Sequence, residues 1–311
     1  MDMAWLGGLV TYSMRILVVG GNGQLGREMR RCLTDMHSEM GAIDARYEGA
    51  HVDCVDVEDF DIADEASVRA WFIGRRPYDI VFNCAAMTNV DGCEQDEAAA
   101  IKVNALGPLN LAIAARSQDA VFVQVSTDYV FPGTDPLPQT ENAKPCPISA
   151  YGRSKLAGEL LAQDANPRTF IVRTAWLYGY EGKNFVKTIV RLAKSQGKVA
   201  VVVDQWGNPT SANDLAHCLL ALALTDAYGI YHAVGETTCS WFDFACTALD
   251  LEGVSCEREP LTSAEYRTRF PLSAARPAYS ALDSSKIAQV AGVRPRPWER
   301  ALKDYIARAD L

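Results

Sequence analysis

A tyrosine and a lysine four residues apart could form an acid–base pair in this chain. Tyr151 and Lys155 lie near the start of a predicted helix, 149–163, and this spacing places both side chains on one helix face. A nearby ammonium group favours the phenolate form of a tyrosine and so lowers its pKa toward the operating pH. We therefore interpret Tyr151 as a proton donor to the oxygen of a ketone that is being reduced.

Two hydroxyl groups stand close to the predicted acid–base pair. Ser126 and Thr127 follow a predicted strand, 120–125, at its carboxyl end. Open α/β sheets bind their ligands at that edge, so either hydroxyl could donate a hydrogen bond to the carbonyl of a substrate. The sequence leaves the choice between the two residues open.

A glycine-rich loop follows the first predicted strand, 15–20, and opens a helix. It reads GGNGQLG over residues 20–26, which fits either GxGxxG or GxxGxxG. Glycines let the chain turn sharply and approach a pyrophosphate, and the free N–H groups of the helix then face the anion. The sequence thus predicts a dinucleotide site, whose loop residues are Gly20, Gly23, Gln24, Leu25 and Gly26.

The ribose of such a cofactor needs an acidic partner at the end of the second strand, which we predict over residues 52–57. Asp56 is the main candidate and Asp53 the alternative; an irregular insertion, 39–51, accounts for their distance from the glycine loop. No arginine adjoins Asp56, so a 2′-phosphate would meet only negative charge there, which favours NADH over NADPH. Asp61 and Ile62 would frame the adenine.

The elements that position these residues alternate along the chain between apolar runs and helical patterns. This alternation predicts an α/β fold, a Rossmann-type doubly wound parallel sheet with a smaller C-terminal α/β domain. We expect a cofactor-binding domain at 14–175 and a mainly substrate-binding domain at 176–311, with segments around 204–234 returning to the first sheet. Residues 1–13 form an extension. A long helix is predicted over 94–118, which Gly107-Pro108 could kink or divide.

Charge and composition restrict the partners. The chain has 311 residues and a net charge of -9, which disfavours nucleic acids and anionic membranes. Nine cysteines without a C-x-x-C pair indicate reduced thiols in a cytoplasmic protein. The four histidines lack the spacing of zinc ligands.

With these motifs, the chain resembles the extended short-chain dehydrogenase/reductases, and within them the dTDP-4-dehydrorhamnose reductases. The resemblance extends over almost everything after Met14. Its segments are GGNGQLG (20–26), FNCAAMTNVDGCE (82–94), VNALG (103–107), VSTDYVFPG (125–133), PISAYGRSKLAGE (147–159), RTAWLYG (173–179), NFVKTIVRLA (184–193), DQWGNPTSANDLA (204–216) and ARPAYSALD (275–283).

The resemblance implies an NAD(P)H-dependent reduction of a dTDP-linked 4-keto-6-deoxysugar to dTDP-L-rhamnose, a precursor of surface polysaccharides. Tyr151 would be the proton donor, Lys155 its activator and ribose ligand, and Thr127 the hydrogen-bond donor to the carbonyl. Further roles are implied for Asp128 and Trp176 (sugar contacts), Ala85, Ala86 and Thr88 (cofactor contacts) and Asn104 (support of a proton relay through water).

The substrate diphosphate needs cationic partners in the C-terminal part. Arg276 is the main candidate, and Lys187 and Arg191 are weaker ones because their pattern also fits a solvated helix face. Some members of the family bind magnesium through glutamates at a dimer contact. Glu28 and Glu299 resemble two of these, but Ser195 stands at the third position, so we expect no required metal.

The same residues are compatible with a homodimer and with other functions. Helices 94–118 and 149–163 pair into homodimers in many relatives. The same catalytic residues also serve epimerases and reductases of other nucleotide sugars. A non-catalytic regulatory subunit on the same fold is a further alternative, although the three candidate catalytic residues are all present.

Overall fold

A six-stranded parallel sheet forms the centre of the protein in a computed structural model that describes residues 13–311. The sheet order is β6-β5-β4-β3-β1-β2, and every neighbouring pair is parallel. Because β1 has β3 on one side and β2 on the other, the winding direction reverses at β1, where such sheets open a ligand crevice. The strands are β1 (Arg15–Val19), β2 (His51–Val55), β3 (Ile80–Asn83), β4 (Val121–Thr127), β5 (Thr169–Thr174) and β6 (Gly229–His232).

Helices cover both faces of the sheet, which confirms the predicted doubly wound fold. One face packs against α1, α8 and α11, and the other against α2, α5 and α6. The helices are α1 (Gln24–Asp35), α2 (Glu65–Phe72), α3 (Val90–Gln95), α4 (Glu97–Ile101), α5 (Gly107–Ser117), α6 (Ala150–Ala165), α7 (Phe185–Gln196), α8 (Ala212–Ala223), α9 (Trp241–Glu252), α10 (Ser263–Arg269), α11 (Ser285–Ala291) and α12 (Trp298–Ile306).

The strands are apolar because neither face of the sheet meets water. Ile16, Leu17 and Val18 of β1 are all 0% exposed, although their side chains point to alternate faces. A strand that is buried on both sides needs a continuous apolar run rather than an alternating one. The run RILVV therefore specifies a central strand.

The segment predicted as one helix, 94–118, is divided in the structure. Helices α3 and α4 are followed by a π-helical turn, Lys102–Leu106, and then by α5. Pro108 lacks an N–H group, so it cannot continue the regular hydrogen-bond ladder. The apolar stretch Glu97–Ser117 is 21 residues long with a mean hydropathy of 1.4, and half of it is buried inside the protein.

The predicted insertion, 39–51, completes a small hairpin and contacts the C-terminal region of the chain. His37–Ser38 pairs with Gly41–Ala42, and a short 3-10 helix follows at Ala45–Tyr47. Between the hairpin strands, Glu39 Oε2 lies 2.7 Å from Arg296 Nη2, and the two side chains are 5% and 10% exposed. The insertion is thus anchored to the C-terminal region by a buried ion pair.

The C-terminal region contributes to two cores. Strand β6 pairs with β5 and so lies in the main sheet. Helices α7, α9 and α12 pack around a separate apolar core. The short strands outside the main sheet pair as Lys198–Val202 with Glu257–Leu261, Trp206–Gly207 with Cys239–Ser240, and Thr210–Ser211 with Leu177–Tyr178. Of the predicted extension, 1–13, only Ser13 lies within the described residues.

Candidate active site

A cavity of about 780 Å³ opens at the carboxyl ends of the central strands. Its volume is within the range of cofactor and small-molecule sites. Most of the residues singled out from the sequence line it. These are Gly20, Gly23, Gln24, Leu25, Asp56, Asp61, Ile62, Ala85, Ala86, Thr88, Ser126, Thr127, Asp128, Tyr151, Lys155 and Trp176.

The fold brings the three candidate catalytic residues together. Thr127 is the last residue of β4, while Tyr151 and Lys155 lie in the first turns of α6, whose N-cap is Ser149. The Thr127 side chain lies close enough to Tyr151 to affect its pKa. Thr127 also donates a hydrogen bond of 2.9 Å to Asp128 Oδ1. A carbonyl oxygen placed beside these two hydroxyls could accept a hydrogen bond from Tyr151, and from Thr127 once its single proton turns away from Asp128.

The expected effect of Lys155 on Tyr151 is not found in this structure. Burial raises the pKa of Tyr151 above its ordinary value, the nearby Thr127 side chain opposes this, and the charge of Asp128 adds to it. The Lys155 ammonium donates instead to the carbonyl oxygen of Val125, at 2.7 Å. Tyr151 is therefore held in its protonated form, which is the form that a proton donor requires.

Lys155 is itself perturbed by its surroundings. Burial lowers the pKa of Lys155 to about 8, and the negative charge of Glu159 acts in the opposite direction. Glu159 lies four residues further along α6, on the same helix face. Lys155 is thus mainly charged at neutral pH and loses its charge in mildly alkaline solution.

The hydroxyl groups of Ser126 and Thr127 have different hydrogen-bond partners in the structure. Ser126 Oγ donates to Glu159 Oε1 at 2.5 Å, and Ser126 is 3% exposed. Its hydroxyl is therefore bound to the buried carboxylate of Glu159, whereas the Thr127 hydroxyl, which donates to Asp128, also lies beside Tyr151. Thr127 is therefore the stronger candidate for a contact with a substrate carbonyl.

The glycine loop has the shape that a dinucleotide pyrophosphate requires. Gly20 has φ +78°, and a Cβ there would lie 2.6 Å from Ala85 N. Gly23 is the N-cap of α1, so the free N–H groups of that helix face the cavity. Gly26 does not line the cavity; a Cβ there would lie 2.2 Å from Gly20 O, so it serves the close packing of α1.

Asp56, rather than Asp53, faces the cavity. Strand β2 ends at Val55, two residues earlier than predicted, because the chain turns at Asp56. The Asp56 carboxylate stabilises this turn by accepting two hydrogen bonds of 2.9 Å, one at Oδ1 from Val57 N and one at Oδ2 from Asn22 N. Asp53 is bound at a distance of 2.8 Å by Arg15, within the sheet edge. Asp56 is thus the acid available to a ribose, and no arginine lies next to it in the sequence.

The two residues implied as sugar contacts adjoin the catalytic group. Asp128 is 2% exposed, and burial raises its pKa to about 6 against the hydrogen bonds from Ser280 and Thr127. Trp176 has φ +47°, which is uncommon for a bulky residue and is often found at functional sites. Its ring stacks on Trp241 with 3.6 Å between centroids. The pair forms an aromatic wall of the cavity.

The three cations that we expected at the substrate diphosphate do not line the cavity. Arg276 forms an ion pair of 3.0 Å with Asp91, contacts the Tyr129 hydroxyl and does not line the cavity. Lys187 donates to the carbonyl oxygen of Tyr180 at 2.5 Å. Arg191 is exposed on α7, away from the cavity lining. The helical periodicity of α7 predicted that Arg191 lies on a solvated face, but it could not predict the hydrogen bond of Lys187.

The side-chain amide of Asn104, which the resemblance implied as support for a proton relay, is already hydrogen-bonded within the protein. It is 1% exposed, accepts from Met87 N at 2.8 Å, and donates to Met87 O and to Ser154 Oγ. Its side chain therefore fixes the π-helical turn against α6 and the chain after β3. Within the part of the chain that the structure describes, it does not line the cavity.

The residues that resembled magnesium ligands do not come together. Glu28 is buried and bound by Asn213 and Arg31, whereas Glu299 contacts Thr237. Ser195 donates to the carbonyl oxygen of Leu192. Over residues 13–311, no group of three or more histidine, cysteine or acidic residues could hold a metal ion.

Sequence reasoning missed several residues of the cavity wall. The most informative are Trp241, Lys183, Asn184 and Tyr129. Two of them carried a local signal, since Asn184 is the N-cap of α7 and Trp241 directly follows Ser240, the N-cap of α9. Those signals predict helix starts, but they do not indicate that the starts face a ligand.

With the geometry established, comparison with known proteins shows the family. The family model for the RmlD substrate binding domain matches residues 14–311. The chain belongs to this family. It is 39% identical over 305 residues to a dTDP-4-dehydrorhamnose reductase from Aggregatibacter actinomycetemcomitans, a match that spans 95% of this chain and 99% of the relative.

Solved structures of dTDP-4-dehydrorhamnose reductases have a similar architecture. A dTDP-4-dehydrorhamnose reductase from Clostridium acetobutylicum is 42% identical with a TM-score of 0.85, over 94% of this chain and 99% of its own. One from Bacillus anthracis, in complex with NADP, is 34% identical with a TM-score of 0.86, over 96% and 100%. The resemblance seen in the sequence motifs is therefore confirmed.

Proposed function

We propose that this protein reduces the 4-keto group of dTDP-4-dehydro-L-rhamnose to give dTDP-L-rhamnose, with NADPH or NADH as reductant. The observation that carries the proposal is the placement of Thr127, Tyr151 and Lys155 in one cavity with the glycine loop. The Thr127 side chain lies close enough to Tyr151 to oppose the rise of its pKa. The names of the relatives support the substrate, and the NADP in the structure of one of them supports the cofactor.

The residues present fit a nicotinamide dinucleotide. Gly20 and Gly23 leave room for a pyrophosphate at the start of α1, and Asp56 can accept hydrogen bonds from a ribose. Asp61, Ile62, Ala85, Ala86 and Thr88 would line the rest of its path. When bound, the nicotinamide supplies the hydride for the substrate carbon.

The side chains then control the charge that develops on the substrate oxygen. Tyr151 donates its hydroxyl proton to this oxygen, and Thr127 donates a hydrogen bond to it. The ammonium of Lys155, which donates to the carbonyl oxygen of Val125, would contact the nicotinamide ribose. Asp128 and Trp176 would hold the sugar ring, with the wall of Trp176 and Trp241 excluding water from one side.

The remaining assignments follow from the same function. We expect residues 176–311, apart from β6, to bind mainly the substrate, because the loops before α7 and α9 reach the cavity. A cytoplasmic location fits nine unpaired cysteines. The acidic surface makes nucleic acids and membranes poor partners. A homodimer through helices α5 and α6 is a further expectation.

The test is an absorbance assay of cofactor oxidation. The protein is given the 4-keto-6-deoxysugar nucleotide, produced with a 3,5-epimerase, together with NADH or NADPH in parallel. We expect oxidation of the cofactor that depends on the epimerised sugar. Cofactor binding without oxidation on this substrate would contradict the proposed reaction and point to a different nucleotide sugar.

A further inference from the structure

Two anionic groups must enter the cavity if the proposed function holds. The cofactor and the nucleotide sugar each carry a diphosphate, while the chain as a whole has a net charge of -9. The cavity wall itself contributes the carboxylates of Asp56, Asp61 and Asp128. At least one cation must therefore offset this charge locally, because like charges in a partly desolvated site repel strongly.

Within residues 13–311, only two lysines and no arginine line the cavity. Lys155 is buried at the catalytic end, and its ammonium group is bound to the carbonyl oxygen of Val125. The other is Lys183, which is exposed, and no ion pair or hydrogen bond joins its ammonium to the rest of the described chain. It is thus the cation that can turn toward a ligand.

The segment that carries Lys183 crosses the start of α1. A Cβ on Gly182 would lie 3.2 Å from Gln24 Cγ, and Asn184 Nδ2 donates to Gln24 Oε1 at 3.3 Å. Both sequence neighbours of Lys183 therefore contact the first residue of the helix that follows the glycine loop. Lys183 itself is held at the entrance to that loop.

This segment is fixed on both sides. The Tyr180 hydroxyl donates to Glu39 of the insertion, and the Arg31 guanidinium lies 4.8 Å from the centroid of the Tyr180 ring. Glu181 lies 3.7 Å from Arg27. These contacts neutralise the neighbouring charges of the segment and leave the Lys183 ammonium unpaired.

We infer that Lys183 binds a diphosphate group at the glycine loop. Two bound molecules could supply that group, the dinucleotide cofactor or the nucleotide sugar. The inference rests on the proposed function for its ligands. If the group belongs to the nucleotide sugar, Lys183 takes the role that the sequence had suggested for Arg276, Lys187 or Arg191.

The experiment compares Lys183→Gln with wild type and with Lys303→Gln. Lys303 is exposed on α12 and does not line the cavity, so its variant has the same net charge without a change in the site. Binding of NADPH and of dTDP is measured separately by calorimetry at low and at moderate salt. We expect Lys183→Gln to weaken one of the two about tenfold, the usual loss for one charge-assisted hydrogen bond at an accessible site.

The two arms identify the source of the diphosphate. A loss confined to NADPH assigns Lys183 to the cofactor, and a loss confined to dTDP assigns it to the sugar nucleotide. The loss should shrink as salt screens the exposed charge. Unchanged binding of both ligands in Lys183→Gln overturns the inference. If wild type binds neither ligand, the proposed function itself has failed, which is a separate result.

Discussion

Arg173 and Glu159 form a buried ion pair directly beneath the candidate catalytic residues. Arg173 Nη2 lies 2.6 Å from Glu159 Oε2, and each side chain is 1% exposed. The same carboxylate accepts a hydrogen bond from Ser126, next to Thr127 in β4. The pair therefore joins the end of β4, the end of β5 and α6 at the point where the site is built.

Glu159→Gln tests the structural role of this pair. Removing one charge leaves the Arg173 guanidinium buried without a counter-ion, so we expect the free energy of unfolding to fall by about 3–5 kcal/mol. Urea denaturation measures the loss. The control is Glu97→Gln, which breaks an ion pair with Arg153 whose side chains are 43% and 45% exposed, so the loss should be much smaller. Equal losses in the two variants would show that the buried pair contributes no more than a surface pair.

Tyr151→Phe tests the proton donor. The change removes the hydroxyl and retains the ring, so kcat should fall about a hundredfold or more while the affinity for the cofactor is largely kept. Steady-state rates with the epimerised sugar nucleotide and fluorescence titration with NADPH measure the two quantities. Tyr266→Phe, on α10 away from the cavity, should retain full activity. A turnover equal to that of wild type in Tyr151→Phe would refute the assignment.

The pH dependence of the reaction should reflect Lys155. Its charged form is present below a pKa of about 8 and is lost above it, so kcat/KM should fall as the pH rises through this value. Tyr151, with a raised pKa, stays protonated through the same range. The measurement is kcat/KM from neutral to alkaline pH. A profile that stays flat well above this range would show that the charge of Lys155 is not required.

The lowered pKa of Lys155 also predicts how the stability of the fold depends on pH. Because burial lowers the pKa of Lys155 below its value in the unfolded chain, the unfolded state binds more protons above about pH 8. The contribution of Lys155 to the free energy of unfolding should therefore increase with pH in that window. Comparing wild type with Lys155→Met by urea denaturation on both sides of pH 8 measures it. An equal difference at the two pH values would contradict the lowered pKa.

Asp56→Asn tests the source of cofactor preference. The amide keeps a hydrogen-bond acceptor for the turn but removes the charge that a 2′-phosphate would face. We expect kcat/KM for NADPH, relative to that for NADH, to rise roughly fivefold, since a like-charge contact at an accessible site costs about 1 kcal/mol. The NADH arm of each assay is the internal control. An unchanged ratio would mean that another residue discriminates between the cofactors.

The local sequence determined the central strand, the glycine loop and the types of catalytic side chain. The apolar run at 15–19 specifies a strand that is buried on both faces, and the glycines at 20 and 26 meet backbone atoms so closely that no larger residue fits. Residues four apart lie on the same face of any helix, so the spacing of Tyr151 and Lys155 places both on one face of α6. These features depend on neighbours along the chain, so a pattern reveals them.

Tertiary contacts decided which of the candidate groups are available to a ligand. The sequence could not show that Glu159 binds Ser126, that Asp91 binds Arg276, or that Val125 holds the ammonium of Lys155, because each partner is distant in sequence or bound through its backbone. It also could not bring Lys183 and Trp241 to the same cavity as the glycine loop. A side chain's type limits what it can do, but the groups packed against it in the folded chain determine whether it is charged, paired or free.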